Sequence, residues 1–451
     1  MSIHFRRKLL AFFVALFVIL GIAVVYYSQG YRLDFSTFSV TKVGAVYIES
    51  YQNPTNIYLN NTYYKDKSGL LASGTLISGV IPQKYQLAIR KDGFIDYQKN
   101  IEVLPSQVTR FFNVLLIPTE IASTTQSLNA SSTEIIDDLL PTAIITHKNV
   151  VKNTQWLVYS RSTDSTNATS SISTSTLITK TLPSSIRQKL KDFTFYNNSD
   201  TQFIATSSNG MLYYISVPLQ ASSTARVIAS STKSLYTVQN NGLLQIANQK
   251  ISASTTTAHA STTQQAILIQ TNIDSGATTT VPFLEKYQPS DIAFITAKNN
   301  YIAYITATGT LQLYDTNKGA ETSINSHVSQ ALFSPDTKKL LYKTEDKKIH
   351  VYFIANELEV SDARAGDDIT LSLTRISDIQ SLNWYQDSNH LLLLYPDQIT
   401  LAEVTKTEPN NQFPLWTGSY TLAKYFGDQN ILMIAHDQNK ITTIDLKLFT
   451  K

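Results

Sequence analysis

The pattern of apolar positions in this chain changes once, near residue 28. Residues 9–27 (LLAFFVALFVILGIAVVYY) carry no charge, and at about 1.5 Å per residue they make a helix of about 28 Å, close to the hydrocarbon thickness of a bilayer. After this stretch no long segment repeats apolar residues with a period of 3.6, and short alternating runs prevail. The pattern predicts one N-terminal transmembrane helix followed by an all-β ectodomain.

The residues that flank the apolar stretch predict its orientation. Residues 1–8 form a short stub with three positive charges at 6–8 (RRK), and positive charges favour the cytoplasmic side of a membrane. We therefore expect an anchor in the cytoplasmic (inner) membrane, with the N-terminus inside and the ectodomain outside or in the periplasm. The alternative is a cleaved signal peptide, with Ser28 and Gly30 before the cut. Apolar cores of signal peptides are usually about 7–15 residues long, so the anchor is favoured.

Residues 43–118 contain the first set of alternating segments, after a polar connector at 28–42. These segments are GAVYIE at 44–49, NIYL at 56–59, YQLAIR at 85–90, FIDY and IEV within 94–103, and TRFFNVLLI at 109–117. Asn60-Asn61 and Lys91-Asp92-Gly93 separate them, and Asn and Gly tolerate the positive φ of tight turns. Short strands at this spacing predict a small β-sandwich.

The same region resembles the PEGA domain, a small β-sandwich of bacterial and archaeal envelope proteins. The matching segments are 44–48 (GAVYI), 57–60 (IYLN), 81–82 (IP) ahead of 85–89 (YQLAI), and 91–94 (KDGF). The resemblance implies an accessory module that binds components of the envelope or the cell surface. It brings no catalytic residue with it.

Three polar stretches rich in Ser and Thr interrupt the strand pattern. Residues 119–137 follow the predicted sandwich and are expected to form a linker. Residues 162–176 and 252–263 lie between strand-like segments, so we expect long solvent-exposed loops there.

Residues 138–451 contain a weak internal repeat. Equivalent points recur at Ala293, Ala331, Leu382 and Ala423. Each unit shows three strands: one after a polar turn, one buried and apolar, and one alternating. A period of about 40 residues with this rhythm predicts a β-propeller of about seven blades, with six or eight left open. The turn at 334–336 (SPD) resembles one of WD-repeat-like and periplasmic propellers, and a stack of β-sandwiches is the alternative architecture.

Charge and composition narrow the functional classes. The chain has 37 Lys+Arg against 34 Asp+Glu, and this excess of three equals the charge of residues 6–8. The predicted ectodomain is therefore neutral, which argues against nucleic-acid binding because that requires a basic surface. There is no Cys, so disulfides, thiolate metal sites and a Cys nucleophile are excluded. An extracytoplasmic protein without disulfides favours a prokaryotic envelope.

Local motifs of catalysis and cofactor binding are missing from the sequence. No two of the seven His residues have metal-ligand spacing, and the motifs HExxH, GxSxG and GxxxxGK do not occur. We therefore predict no metal, no cofactor and no enzymatic activity. Asp137-Asp138 and Asp367-Asp368 are adjacent carboxylates, whereas a glycosidase needs two carboxylates that converge on one bond.

Three residues remain as candidates for a ligand-binding face. Asp367 and Asp368 end an acidic insertion at 357–368, which we expect to be a solvated loop. Trp416 has a Pro and a Gly within two residues, so we expect it on a loop, where its ring can stack on a sugar or anchor a protein contact. Trp384 follows an alternating strand and is expected in the core.

Taken together, these features predict a membrane-anchored binding or scaffold protein of a prokaryotic envelope. Its partner is expected to be a surface polysaccharide or another envelope protein. The alternative is a propeller-type glycan hydrolase or lyase whose carboxylates come from separate blades. A third hypothesis is a partner of an envelope sensor, since the predicted stub is too short for a signalling domain. Convergence of Asp, Glu or His from several blades would favour the enzyme.

Overall fold

The computed structural model describes residues 3–34, 39–53, 55–69, 72–128, 134–150, 153–160, 174–177, 182, 184–187, 190–217, 224–229, 236–239, 242–251, 263–281, 284, 286–358, 363–407, 409–436 and 440–449. The chain is mostly β with one long N-terminal helix, as the sequence predicts. Short helical turns occur at Ser184–Arg187, Pro289–Asp291, Ile376–Asp378 and Leu446–Phe449.

Helix α1 (Ile3–Ser28) contains the apolar stretch. Its segment Leu9–Ser28 is long and apolar enough to cross a membrane, and none of it is buried in the protein. An N-terminal signal sequence satisfies the same description. The helix is therefore a candidate for either role.

The predicted connector at 28–42 contains a hairpin. Strands β1 (Tyr31–Asp34) and β2 (Ser39–Lys42) pair antiparallel. The guanidinium of Arg32 donates a hydrogen bond to the carbonyl of Tyr27 (2.8 Å) and lies over the Tyr27 ring, 3.4 Å from its centroid. This cation ties the hairpin to the end of α1.

A sandwich of two sheets follows. Its strands are β3 (Gly44–Ser50), β4 (Asn56–Leu59), β5 (Thr62–Lys65), β6 (Thr75–Val80), β7 (Lys84–Arg90), β8 (Tyr97–Glu102) and β9 (Val108–Val114). One sheet has the order β6-β3-β9 and the other the order β5-β4-β7-β8. Alternation buries Val46, Ile48, Ile57, Leu87 and Ile89 in the core. The sandwich agrees with the prediction, apart from β5 and β6, which the apolar pattern did not show.

Both tight turns predicted in the sandwich are confirmed. Asn60 and Asn61 have φ of 46° and 66° and join β4 to β5. Gly93 has φ of 80°, and the amide of Phe94 donates to the carbonyl of Lys91 (3.1 Å). These are the left-handed conformations for which Asn and Gly are suited.

Within the described residues the remaining strands form seven four-stranded antiparallel sheets, called sheets 1 to 7. Sheets 1 to 3 are β11 (Ile135–Leu139), β12 (Ala143–Val150), β13 (Asn153–Ser160), β14 (Thr174–Leu177); β15 (Leu190–Tyr196), β16 (Ser199–Ser207), β17 (Leu212–Ser216), β18 (Thr224–Ala229); and β19 (Tyr236–Gln239), β20 (Gly242–Ile251), β21 (Thr263–Asn272), β22 (Thr278–Val281). Sheets 4 to 6 are β23 (Ile292–Lys298), β24 (Tyr301–Thr306), β25 (Leu311–Asp315), β26 (Ala320–Asn325); β27 (Val328–Phe333), β28 (Lys339–Thr344), β29 (Ile349–Phe353), β30 (Asp368–Thr370); and β31 (Ser381–Trp384), β32 (His390–Tyr395), β33 (Gln398–Glu403), β34 (Gln412–Thr417). Sheet 7 is β10 (Ser123–Ser127) with β35 (Leu422–Phe426), β36 (Ile431–His436) and β37 (Lys440–Asp445). This succession of seven sheets is a propeller-like fold.

Strand β10 corrects the expectation of a linker at 119–137. It pairs with β37 as the outer strand of sheet 7, and the hydroxyls of Thr125 and Thr442 share a hydrogen bond of 2.8 Å. Most of its side chains are exposed, so the strand needs no apolar alternation and its sequence resembles a linker. Strand β11 of sheet 1 also contacts β35 of sheet 7. The two ends of the repeat region thus meet.

Each sheet has a fourth strand that the three-strand repeat did not predict. In sheets 4 and 5 these strands, β26 and β30, have no fully buried residue. An outer strand packs little of its surface in the core, so its sequence carries no apolar signal. The predicted apolar second strand is confirmed most clearly by β32, whose six residues are all buried.

The turn between the first and second strands recurs in several sheets. Asn299, Thr337, Ser388 and Asn430 occupy it with φ of 50°, 64°, 60° and 58°. In sheet 5 the hydroxyl of Ser334 donates to the Asp336 carboxylate (2.6 Å) and accepts the amide of Lys339 (3.0 Å). The Ser-Pro-Asp motif therefore forms a turn, as expected.

The predicted Ser/Thr-rich loops lie largely outside the described residues. Residues 161–173 and 252–262 are not among them. The described parts of these stretches belong to strands, since β14 starts at Thr174 and β21 at Thr263.

The sandwich and the propeller-like domain share one apolar core. Ile101, Val103 and Leu116 of the sandwich side belong to the same buried cluster as Leu401 of sheet 6 and Leu432 of sheet 7. This packing fixes the sandwich against sheets 6 and 7 and creates the cleft described next.

Candidate functional site: a cleft between the two domains

A cleft of about 390 Å³ lies where the sandwich meets sheets 5 and 6. Leu104 and residues 107–113 form the sandwich wall, and residues 403–407 with Leu358 and His390 form the opposite wall. One wall therefore contains most of strand β9, and the other begins at the end of β33.

The domains are joined beneath this cleft by a buried ion pair. The fully buried side chain of Lys99 on β8 lies 2.9 Å from the carboxylate of Glu403 on β33. Its Nζ also donates to the carbonyls of Thr407 (2.9 Å) and Pro409 (2.5 Å), and the hydroxyl of Tyr97 donates to Glu403 (2.8 Å). A buried charge is tolerated only when it is paired and hydrogen-bonded, and this one has three acceptors.

Burial is the main cause of the pKa shifts of Lys99 and Tyr97 at this junction. It lowers the pKa of Lys99, and the Glu403 carboxylate partly opposes this effect. Burial also raises the pKa of Tyr97 well above its usual value, with Glu403 acting in the same direction. The Tyr97 hydroxyl therefore stays protonated and remains a hydrogen-bond donor to the carboxylate.

A second buried pair stands behind His390, a cleft-lining residue. Nδ1 of His390 lies 2.7 Å from the carboxylate of Asp387, which also accepts the amides of Asn389 (2.8 Å) and His390 (3.0 Å). Burial by itself lowers the pKa of His390, but the Asp387 carboxylate outweighs it and the net shift is upward. Burial likewise raises the pKa of Asp387, and His390 with the two amides turns the net shift downward.

Sheet 5 supports the same wall with a third pair. Nζ of Lys339 lies 2.7 Å from the carboxylate of Glu357, and both side chains are buried. Lys339 also donates to the side chain of Asn389 (3.3 Å), and the amide of Asp336 donates to the hydroxyl of Ser388 (3.1 Å). These bonds connect the equivalent turns of sheets 5 and 6 behind the cleft.

Apart from Lys406, which pairs with Asp367 at the rim, the cleft presents exposed apolar side chains and charges without an ion-pair partner among the described residues. Leu104, Val108 and Leu358 are 42%, 44% and 47% exposed. Arg110 and Glu102 are exposed, and neither forms an ion pair with the residues that the structure describes. Buried, hydrogen-bonded ion pairs hold the walls together. The exposed apolar side chains and the charges of Arg110 and Glu102 are available to a ligand.

Asp367 and Asp368 lie at the edge of sheet 5 and already have protein partners. Asp367 accepts from Nζ of Lys406 (2.6 Å), a residue that lines the cleft, and backbone and Lys406 hydrogen bonds lower its pKa. Asp368, on β30, accepts from the hydroxyl of Tyr342 (2.5 Å), and burial raises its pKa. Asp367 is thus at the rim of the cleft, whereas Asp368 belongs to the packing of sheet 5.

Trp416 lies on strand β34, which corrects the expectation of a loop. Its ring is half-buried and contacts those of Tyr420 (5.7 Å between centroids) and His436 (5.3 Å). Pro414 is compatible with this strand because β34 is the outer strand of sheet 6, and Pro within sheets occurs mainly on edge strands. The structure does not bring Trp416 together with the two Asp residues. Trp384 is buried, as expected, and its indole N–H donates to the carbonyl of Leu332 (3.0 Å).

Local sequence patterns do not predict the residues of the cleft, although one pattern carries a signal. Strand β8 alternates buried and exposed residues, and Lys99 falls in the buried phase between Tyr97 and Ile101. A Lys at a buried position of a strand indicates that a carboxylate or other acceptor is buried beside it. Its partner Glu403 follows in the chain by about three hundred residues, which no local pattern reveals.

A second polar cluster joins three sheets at the start of sheet 1. Asp138 accepts hydrogen bonds from Lys424 of sheet 7 (2.6 Å) and from the amide of Phe195 of sheet 2 (2.9 Å). The adjacent Asp137 lies 2.7 Å from Nδ1 of His147, and burial raises its pKa although His147 opposes the shift. Among the described residues, no group of three or more His, Asp or Glu is arranged to hold a metal ion.

No family model matches this chain, and no curated protein matches it. The resemblance to the PEGA domain therefore stays a prediction. Among solved structures, the chain is similar to one described as "Crystal Structure of Mitotic Checkpoint Complex", with 12% identity over 72% of this chain and 93% of that chain, at a TM-score of 0.42. It is also similar to "Oligogalacturonate lyase in complex with manganese", with 9% identity over 72% of this chain and 90% of that chain, at a TM-score of 0.43.

Proposed function

We propose that this chain is a membrane-anchored binding protein of a prokaryotic cell envelope. In this proposal α1 is the anchor in the cytoplasmic membrane, and the cleft binds a surface polysaccharide or another envelope protein outside it. The observation that carries the proposal is the cleft itself. Three exposed apolar side chains and two charges without an ion-pair partner among the described residues line a space whose walls are held together by buried ion pairs.

Preformed walls support binding because a ligand then loses little free energy to ordering the protein. The buried titratable groups in and behind the walls are bonded to one another or to backbone groups; they are Lys99, Glu403, Asp387 and His390. Their bonds maintain the shape of the site. The positive charges at residues 6–8 support an anchor with its N-terminus in the cytoplasm.

The test uses the full chain in lipid nanodiscs, with isolated cell-wall glycan and with purified envelope proteins as separate baits. Leu358→Glu places a charge in the cleft, and we expect it to reduce retention at least tenfold. Leu76→Glu is the matched control, since Leu76 is as exposed as Leu358 (49% against 47%) but lies on the sandwich away from the cleft. Equal retention of the two variants would contradict the proposed site.

A glycan hydrolase or lyase is the second candidate, supported by the cluster at Asp137, Asp138 and Lys424. This cluster brings acidic residues and a cation together from separate sheets, and the raised pKa of Asp137 suits a general acid. Products released from the glycan bait would be assayed in the same tubes. Release that is abolished by Asp137→Asn while retention is unchanged would establish the enzyme. Without release, the binding function is favoured.

A further inference from the structure

Strand β9 is an edge strand whose free side faces the cleft. Its sheet has the order β6-β3-β9, so β3 is its partner and the other edge is open. Residues 107–113, which include most of β9, line the cleft as one continuous stretch. An exposed strand edge offers unpaired N–H and C=O groups to any chain that approaches in extended form.

The register of β9 shows which backbone groups point into the cleft. The pairing with β3 is parallel, with Val46 opposite Thr109 and Ile48 opposite Phe111, and the amide of Ala45 donates to the carbonyl of Gln107 (2.9 Å). In a parallel ladder alternate residues direct both backbone groups to the partner strand.

The backbone N–H and C=O groups of Gln107, Thr109 and Phe111 therefore point toward β3. Val108 and Arg110 direct their N–H and C=O groups away from it, and so does the N–H of Phe112, which lies just before the register shift at Asn113. None of these outward groups has a hydrogen bond to any residue in the described parts of the chain.

We infer that the cleft takes an extended polypeptide segment of a partner protein, which pairs with β9 as an additional strand. The inference rests on the proposed binding function and specifies the class of its ligand. Addition of a strand to a sheet edge is a general mode of peptide recognition, in which backbone bonds supply affinity and alternate side chains supply specificity. The stretch 108–112 spans about 17 Å at about 3.3 Å per residue.

The side chains around this edge define the chemistry of the segment. Leu104, Val108 and Leu358 are exposed apolar groups, so the segment carries apolar residues at alternate positions. Arg110 is an exposed cation without an acidic partner among the described residues, so an Asp or Glu of the segment pairs with it. This cleft is also continuous with the established interface between the domains, since Tyr97 and Glu403 line both.

A polysaccharide fits this cleft less well than a peptide. Sugars stack on exposed faces of aromatic rings, but Tyr97 and Phe111 are only 2% and 8% exposed. The ring of Phe112 packs against Tyr47 with centroids 5.3 Å apart. The unpaired groups of the cleft belong mainly to the backbone, which another backbone complements.

The test uses the full chain in nanodiscs and a phage-displayed library of random heptapeptides. Arg110→Pro is the discriminating variant, because the amide of Arg110 points away from β3. Proline removes that donor without removing a bond of the sheet. Arg110→Ala is the control, since it removes the charge and keeps the amide.

We expect enriched peptides that alternate apolar residues and carry one acidic residue. Synthetic copies should bind the Arg110→Pro variant at least tenfold more weakly than the original chain, and Arg110→Ala should lose only the preference for the acid. In the original chain, peptide binding should slow hydrogen exchange at the amides of Val108, Arg110 and Phe112. This readout does not depend on whether the proline variant folds.

Lack of enrichment, or unchanged exchange at these amides in the presence of an enriched peptide, would overturn the inference. Cell-wall oligosaccharides are measured in parallel to separate it from the proposed function. Oligosaccharide binding that is lost in Leu358→Glu but kept in Arg110→Pro would retain the cleft as a binding site and overturn the strand pairing. Binding that no cleft variant affects would overturn both.

Discussion

Two junctions in this protein use the same chemistry at different depths. At one, Lys99 of the sandwich pairs with Glu403 of sheet 6 at 2.9 Å, and the Lys side chain is fully buried. At the other, Lys424 of sheet 7 pairs with Asp138 of sheet 1 at 2.6 Å, and the Lys side chain is 35% exposed. The first joins two domains and the second joins the ends of the repeat region.

The contrast shows that the burial of the Lys and the donors left to the carboxylate, and not the distance, decide what each pair contributes. The shorter pair has the more exposed Lys (35% against 0%), although the Asp138 side chain (8% exposed) is more buried than that of Glu403 (14%). The carboxylate of Asp138 also keeps the amide of Phe195 as a donor. Glu403 relies on Lys99, on the hydroxyl of Tyr97 and on a longer hydrogen bond from the side chain of Asn411 (3.3 Å). Removing one member of a buried pair is costly because the other charge stays buried without compensation.

The largest effect is expected for Lys99→Met. The variant leaves Glu403 without its cation, and we expect the free energy of unfolding to fall by about 3–5 kcal/mol. Urea denaturation of the full chain in detergent measures it. Lys84→Met, at an exposed position of the same sandwich, is the control and should change stability by less than about 0.5 kcal/mol. Adding Glu403→Gln should restore part of the loss. Equal effects of Lys99→Met and Lys84→Met would contradict the depth argument.

The next effect is expected for Asp387→Asn, and it depends on pH. We expect a loss of about 2–3 kcal/mol, since the variant removes a charge-assisted hydrogen bond but His390 can lose its proton and avoid a buried charge. The pKa of His390 is raised above 6.5 in the folded chain, so its contribution is complete below pH 6.5 and is lost as pH rises through the folded value. The pKa of Asp387 is lowered below 3.8, so its contribution is complete above pH 3.8 and is lost as pH falls through the folded value.

The stability difference between the original chain and Asp387→Asn should therefore be greatest between about pH 4 and 6.5 and should decline toward pH 9. Thermal unfolding at several pH values measures it. Asp428→Asn is the control, because Asp428 is exposed in the equivalent turn of sheet 7. A difference that grows above pH 7 would disprove the assignment.

A smaller effect is expected for Lys424→Met at the second junction. Asp138 keeps the amides of Leu139 (2.8 Å) and Phe195 (2.9 Å) as donors, and the Lys is partly solvated, so the loss should be about 1–2 kcal/mol. Lys191→Met, at an exposed position of sheet 2, is the control. If Lys424→Met destabilised the chain as much as Lys99→Met, the contrast between the junctions would be wrong.

The smallest effect is expected where β10 completes sheet 7. Thr125→Val removes a hydroxyl that is hydrogen-bonded to Thr442 (2.8 Å), and His436 still lies 2.7 Å from the Thr442 hydroxyl. The loss should be about 0.5–1 kcal/mol. Hydrogen exchange of β37 amides measures local opening, with Thr124→Val as the control on the opposite face of β10. Equal exchange in the two variants would show that the hydrogen bond between Thr125 and Thr442 does not stabilise this sheet.

The sequence predicted the strands that pack apolar side chains in the core, on one face or on both. In β3 the run from Gly44 to Ser50 alternates buried with half-buried residues, and β32, which has four consecutive Leu residues, is buried throughout. Strands β10, β26 and β30 were missed because outer strands of a sheet require no apolar residue on either face. Trp416 was predicted on a loop because Pro and Gly lie close to it. These residues are equally compatible with the outer strand of a sheet, and the local sequence does not show whether a strand is an outer one.

The sequence alone was enough to predict the apolar helix, the β class, the small sandwich and the period of the repeat. Each follows from local hydrophobic patterns, and local patterns act between residues that are close along the chain. The packing of the whole chain was needed to show that β10 completes sheet 7, that Lys99 meets Glu403, and that the free edge of β9 opens into a cleft. These features join residues hundreds of positions apart, and a distant partner leaves no periodic trace in either segment. The candidate site therefore became visible only once the two domains were packed together.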